Sequence, residues 1–313
     1  MNVKNRIDRC CRLIDNFGFV FTLQMIYCLF FKNERYYTNI IEKKLRDSYS
    51  KFLINNTFEE QLSVDYPCVW SLWWQGEEGM PNIVKICYYS QLKYVRDTGI
   101  NYILLTKENI ANYIDIPDFI LEKVEKGQIT LTHLSDIIRV LLLEQHGGMW
   151  LDLTLLFTKP INKSYFDYDF FSIKLDNEKY KPFGSGQCLT QCMWSGFCLS
   201  TAKKHSFLFR YLKESLLEYW SIHTTIIDYF IMNRLLKLAY NKDKYYKSII
   251  ERIPYSNPNL YILSPKINDQ YEADIFERLC EDTECFKLSY KMELNKYSSG
   301  NLTFYGYLCN LYM

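Results

Sequence analysis

The stretch from His133 to Thr154 constrains this chain more than any other. Leu134, Ile137, Ile138, Val140, Leu141, Leu142 and Leu143 cover most of the circumference of a helix that begins near Thr132 or Leu134 and runs to about Gln145. A helix apolar nearly all round is a buried one. Asp136 and Arg139 interrupt it, three residues apart and so on one face. Charges on a buried helix are rarely left unpaired, because desolvation is costly. Two readings follow: an internal ion pair that staples the helix to a neighbour, or two side chains that face a polar cleft. Gly147 or Gly148 supplies the left-handed turn that closes the helix. Met149, Trp150 and Leu151 then form a short apolar strand that delivers Asp152 at its far end. In open α/β sheets ligands bind beyond the carboxyl ends of the strands, where Asp152 falls. A carboxylate there can hold a hard divalent cation, and the cation can clamp a diphosphate. Thr154 points the same way if the chain stays extended, as a neutral metal ligand, a water anchor or a plain strand residue. Taken alone, Asp152 reads equally as a helix cap or a turn residue.

The surrounding pattern sets the fold class. Pro67 to Trp74 is an apolar, aromatic run fit for a buried first strand, followed by a loop at Gly76 and Gly79 and a helix over about 82–97. Asn101 to Leu105 is a second strand, Thr106 can cap a short helix from Lys107, and Pro117 begins a helix through Val124. Strands alternating with helices predict an α/β fold with a parallel sheet. Residues 1 to about 60 read as helices, since Leu13, Phe17, Val20, Phe21 and Met25 recur at helical spacing. Farther on, the pattern predicts a strand at Phe170–Ile173, a loop at Lys181–Gln187, a strand over Met193–Leu199, and helices over Leu208–Trp220 and Thr224–Leu238. Asp228 is read as a cap or helix-dipole acid rather than an acid facing an acceptor.

The totals exclude several classes. With 313 residues, 48% hydrophobic, the chain buries a substantial core. A formal net charge of +1 gives no global electrostatic case for nucleic acid. Eleven cysteines, an odd number without repeated spacing, read as free thiols of a reducing cytosol. The four histidines are too dispersed for a metal cage. No signal peptide is evident, and the apolar stretch Phe17–Phe31 is too short for a membrane span. It is read as plain helical packing or as a surface lying against anionic lipid, with Lys4, Arg6, Arg9 and Arg12 before it and Asp8 and Asp15 diluting their effect.

Ser135-Asp136-Ile-Ile-Arg139 followed by Gly147-Gly148-Met-Trp-Leu-Asp152-Leu-Thr154 resembles the sugar-binding region of family-32-type glycosyltransferases, most closely their bacterial capsular-polysaccharide-synthesis branch. A second match lies at Val69-Trp70-Ser-Leu-Trp73-Trp74-Gln75-Gly76-Glu77-Glu78, with Met80-Pro81 and Ile83-Val84 after it. In that branch a tryptophan-rich strand ending in Gln-Gly opens the catalytic domain. The likeness is good over residues 66–160 and loose elsewhere.

The resemblance implies a nucleotide-diphosphosugar transferase fold of the GT-A type, with a mostly parallel central sheet. A helical appendage would occupy 1–62 and the catalytic domain 63–313. It implies transfer of a sugar, with retention, from a nucleotide-diphosphate donor (a UDP-sugar) to a hydroxyl of a glycan, lipid-linked, in capsular or surface polysaccharide synthesis. Location would be cytoplasmic, at the inner face of the membrane, with peripheral contact through residues 1–31. By the same likeness Asp136 binds hydroxyls of the donor sugar and Arg139 contacts the sugar or its diphosphate. Asp152 is the first acid of an Asp-x-Asp metal motif for Mn²⁺ or Mg²⁺, with Thr154 in place of the second acid. Trp73, Trp74, Gln75, Gly76 and Trp150 would line the nucleotide, and Lys291 or Ser299, from a C-terminal loop, would cover the diphosphate. A non-catalytic glycan- or nucleotide-binding protein on the same fold is the rival that Thr154 keeps alive. A nucleotidyltransferase is disfavoured, because residues 66–80 lack a glycine-rich, basic phosphate loop.

Overall fold

Two compact units emerge in the computed structural model, which describes residues 3–54, 62–64, 67–178 and 189–313. Met1–Glu60, Ile114–Leu141 and Phe207–Lys247 form the first, and Gln61–Tyr113, Leu142–Ser206 and Ser248–Met313 form the second. In chain order the principal elements are helices α1 (Val3–Phe17), α2 (Phe19–Phe30) and α3 (Glu34–Tyr49), strand β1 (Cys68–Leu72), helix α4 (Asn82–Arg96), strand β2 (Asn101–Leu105), and helices α5 (Asp118–Glu125) and α6 (Leu131–His146). Strands β3 (Gly148–Leu151), β4 (Leu155–Phe157), β5 (Phe171–Ser172) and β6 (Cys198–Thr201) follow. Helices α7 (Phe207–Ile222) and α8 (Ile231–Lys242), strand β7 (Cys285–Lys287) and helix α9 (Phe304–Tyr312) complete the set.

The second unit is built on a five-stranded sheet of order β2-β1-β3-β6-β5. β1 pairs in parallel with β2 (Trp70 opposite Ile103) and with β3 (Trp70 opposite Trp150). β6 runs antiparallel to β3, and β5 antiparallel to β6. Four strands therefore point one way and β6 alone runs against them, so the fold is mixed α/β with a mostly parallel central sheet. Two glycines make the entry to β3 possible. Gly147, at φ 65°, closes α6, and Gly148, at φ 83°, has no room for a Cβ against the carbonyl of Cys68. Trp70 is buried beside them, its indole N–H donating to the Gly147 carbonyl at 3.0 Å.

A second ribbon, β4 against β7, pairs Leu155 with Lys287 and Phe157 with Cys285. Its apolar side joins one core with Ile83, Ile86 and Cys87 of α4 and with Phe304 and Leu308 of α9. The 3.6-residue period of α4 turns Ile83, Cys87, Ser90 and Gln91 into that core.

The first unit is helical in its labelled elements. Asp228, just before α8, is buried with Arg234 (Nε to Oδ1 3.0 Å) and accepts from the hydroxyl of Tyr37 on α3 at 2.8 Å. It also accepts from the Phe230 N–H at 2.8 Å, a turn ahead of α8 rather than the cap expected of it, since the N-cap is Phe230 and carries no side-chain bond. α2 is different. Phe19, Val20, Leu23, Leu29 and Phe30 are all exposed, Val20 at 70% and Phe30 at 79%. Among the described residues no helix is long and apolar enough to cross a membrane.

Several local expectations are corrected. The segment from Lys107 forms turns and a three-residue 3-10 helix (Ile110–Asn112), and the Thr106 hydroxyl caps only the N–H of Glu108. Met193–Phe197 is turn rather than strand, because Ser172 and Ser195 take the local hydrogen bonds, and β6 starts only at Cys198. The helix expected from Thr224 starts at Ile231, since Asp228 engages the chain before it. The loop expected at Lys181–Gln187 lies outside the described residues.

Candidate functional site

The carboxyl ends of β1, β2 and β3 lie side by side, with Leu72 opposite Leu105 and Trp70 opposite Trp150. Asp152 leaves β3 at this edge, its N–H bonded to the Phe197 carbonyl at 2.9 Å. The chain does not stay extended there, as the sequence reading required for Thr154. It turns, with Leu155 N–H on the Asp152 carbonyl at 3.1 Å. The turn nevertheless brings the Asp152 carboxylate and the Thr154 hydroxyl to one partner, the ammonium of Lys287.

Lys287 is the residue the sequence reading missed. β7 sets it opposite Leu155 and places its Nζ 3.3 Å from Asp152 Oδ2, in hydrogen-bond contact with Thr154 Oγ1 and 4.6 Å from the centre of the Phe197 ring. The other carboxylate oxygen, Oδ1, accepts the indole N–H of Trp150 at 2.9 Å. The site is open: the Asp152 side chain is 29% exposed and that of Lys287 21%.

Gln91 fixes the turn from below. This fully buried amide donates from Nε2 to the carbonyls of Asp152 (3.0 Å) and Leu155 (2.8 Å). Its Oε1 accepts from Tyr102 (2.8 Å) and Ser71 (3.3 Å), and Ser71 also donates to the Leu151 carbonyl at 2.7 Å. Every polar atom of the amide has a partner, as a buried group requires. Its place four residues after Cys87, on the apolar face of α4, was the signal that could have found it. The charges reach the core thiols nearby. Burial pushes the Cys87 thiol up to about 12 with Lys287 opposing the rise, and burial raises Cys198 with Glu284 and Asp152 adding to it.

The tryptophans divide. Trp150 is buried and spends its indole N–H on Asp152. Trp73 is half-buried just beyond β1, edge-on to Tyr290 at 5.8 Å, and its indole N–H is enclosed without a protein acceptor among the described residues. Trp74 accepts the Lys107 N–H through its carbonyl at 3.1 Å, Gln75 is exposed, and Gly76 turns the chain at φ 74°. Lys291 lies exposed with its ammonium 6.0 Å from the centre of the Tyr290 ring. Ser299 sits exposed, at φ 50°, in the turn between two-residue strands at Tyr297–Ser298 and Asn301–Leu302. β7 thus reaches Asp152 through Lys287, and the segment after it reaches Trp73 through Tyr290.

Asp136 and Arg139 belong to the first unit. They pair with each other on α6 (Arg139 Nη1 to Asp136 Oδ1 3.4 Å), and Arg139 also bonds the Ser135 carbonyl (3.3 Å) and hydroxyl (3.1 Å). This pairing lies within the helix.

The implied divalent cation can be tested against these donors. Magnesium takes about six oxygens at 2.0–2.1 Å. Asp152 offers one carboxylate, already shared between an indole N–H and an ammonium, and the Thr154 hydroxyl is held by the same ammonium. Among the described residues no group of three or more His, Cys, Asp or Glu side chains can hold a metal. The residues as arranged do not fit such an ion.

Fold and site together define a mixed α/β protein that presents an acid at the carboxyl edge of a mostly parallel sheet. The chain matches the family model of capsular polysaccharide synthesis proteins over residues 27–308, and it belongs to that family. No curated protein matches it.

Proposed function

We propose that this protein is a glycosyltransferase of capsule biosynthesis, of the GT-A type, moving a sugar from a nucleoside-diphosphate donor such as a UDP-sugar to a hydroxyl of a lipid-linked glycan with retention of configuration. The observation that carries this reading is Asp152, partly exposed at the carboxyl edge of the sheet and framed by Lys287, Thr154 and Trp150. Ligands of open α/β sheets bind at that edge. The enclosed indole N–H of Trp73 supports it, since a buried donor without a partner suits a ligand's acceptor oxygen. Positioning of the donor and stabilisation of the departing diphosphate would supply most of the rate. Asp136 and Arg139 are proposed to touch the donor sugar or its diphosphate.

The test is incubation with a panel of nucleoside-diphosphate sugars and glycan acceptors, followed by measurement of released nucleotide. Turnover with one donor supports transfer. Tight donor binding with no release by any donor and acceptor favours the non-catalytic binding protein, for which Thr154 in place of a second acid is the specific observation.

We further assign the exposed face of α2 to an anionic bilayer surface. Phe19, Val20, Leu23, Leu29 and Phe30 are large apolar side chains exposed on this one helix. Residues 1–35 contain six basic and three acidic side chains, a net charge of 6 − 3 = +3. Flotation with vesicles containing phosphatidylglycerol, lost on neutral vesicles and in the Leu29→Ser/Phe30→Ser double variant, is the expected result. A chain that stays off both vesicles and sediments as a dimer would overturn it.

A further inference from the structure

We infer that the Lys287 ammonium, held by Asp152 and Thr154, is the cation that binds the donor's diphosphate, in place of a divalent metal. The inference rests on the nucleotide-sugar reading and deepens it. Lys287 is fixed from three sides. Its N–H donates to the Leu260 carbonyl at 2.7 Å, the next N–H, of Leu288, donates to the Thr154 carbonyl at 2.8 Å, and its ammonium lies over the Phe197 ring. An ammonium has three donors. Two go to the Asp152 carboxylate and the Thr154 hydroxyl, and the third remains for an oxygen arriving from the open side.

Charge balance accounts for Thr154. A motif with two carboxylates and a dication sums to zero. One carboxylate with one ammonium also sums to zero, so exchanging the second acid for a hydroxyl and the metal for a lysine leaves the local charge unchanged. A second carboxylate at position 154 would add a negative charge beside the ammonium and oppose the binding of a diphosphate. The Phe197 face and the partial burial of both partners also raise the effective strength of the ammonium over a fully solvated one. The neighbouring Trp73, with its enclosed indole N–H, supplies a neutral donor on the same edge of the sheet.

The experiment is calorimetric titration of the protein with uridine diphosphate and guanosine diphosphate, in EDTA and in Mn²⁺. Binding of one of them in EDTA, little changed by Mn²⁺, is expected. The Lys287→Met variant should then weaken that binding at least tenfold, about 1.4 kcal/mol, while Lys287→Arg keeps most of it. Binding that appears only with Mn²⁺ would overturn the inference and leave the nucleotide-sugar reading standing. No binding of either nucleotide under both conditions would count against both. Because the titration of the unaltered protein decides between metal and lysine, a variant that fails to fold does not shield the inference.

Discussion

Two acids of this protein, Asp228 and Asp152, both face a basic side chain, and their surroundings divide their roles. Asp228 and Arg234 have side chains only 6% and 5% exposed. Each Asp228 oxygen is doubly engaged, Oδ1 by the Phe230 N–H and Arg234 Nε, Oδ2 by the Tyr37 hydroxyl and Arg234 Nη2 at 3.1 Å. Nothing of that carboxylate is left for a ligand. Asp152 meets the Lys287 ammonium and the Trp150 indole at an open edge, its side chain 29% exposed, and that lysine has a donor to spare. A dry, saturated pair holds elements together because removing one member strands a buried charge. A half-open pair contributes little to stability and is available for binding. The sign pattern in the sequence is alike for both; exposure, 6% against 29%, tells them apart.

The contrast can be broken by substitution. Asp228→Asn should cost about 3–5 kcal/mol of unfolding free energy, measured by urea denaturation. A cost under about 1 kcal/mol would put Asp228 in the surface-pair class. Asp152→Asn should do the reverse, lowering transfer on the order of a hundredfold or more while the thermal midpoint stays within about 4 °C. A large drop in the midpoint would make Asp152 a structural acid too. Gln91→Leu lies between, because it removes the donor to the Leu155 carbonyl and the acceptor of the Tyr102 hydroxyl, while the Asp152 carbonyl keeps the Leu155 N–H and Ser71 keeps the Leu151 carbonyl. It should cost about 1–3 kcal/mol and reduce turnover through the loosened turn, with nucleotide release and denaturant melts run in parallel. Arg139→Lys keeps the charge and loses the planar fork, so donor affinity should fall, by roughly tenfold or less. Unchanged titration curves would remove Arg139 from the donor site.

The smallest effect concerns His223, in the first unit. Burial, with Lys44 and Lys123 adding, depresses its ring to about 4 from an ordinary 6.5. Above pH 6.5 the ring is neutral in folded and unfolded chains alike. Between 6.5 and 4 only the unfolded chain takes up the proton, so stability falls as pH falls through that window. Melts recorded from pH 7 to 4 should show a decline that His223→Gln flattens. Identical slopes for the two proteins would remove His223 from the account.

The sheet was legible because its signals are local. The apolar runs at Cys68–Leu72, Asn101–Leu105 and Gly148–Leu151, with a 3.6-residue period between them, determine β1 to β3 and α4 with little help from elsewhere. Asp152 at the end of β3 followed from the same logic. What could not be read is whatever arrives from far along the chain. Lys287 is 135 residues from Asp152 and reaches it only through the β4–β7 pairing, whose strands are three residues long. The C-terminal cation named from the sequence is Lys291, four residues on, and Lys287 carries no local signal of its own. β6 was misread over Met193–Phe197 because serine hydroxyls compete for the backbone there, and hydrophobicity alone does not register that competition. The start of α8 failed for the same reason, with Asp228 as the competitor.

The indole of Trp150 has a practical consequence. It is buried, and joined by a hydrogen bond to the carboxylate proposed to meet the ligand. Any event that redistributes charge on Asp152 alters the field along that ring, so the unlabelled protein carries its own optical gauge of what happens at the edge of the sheet.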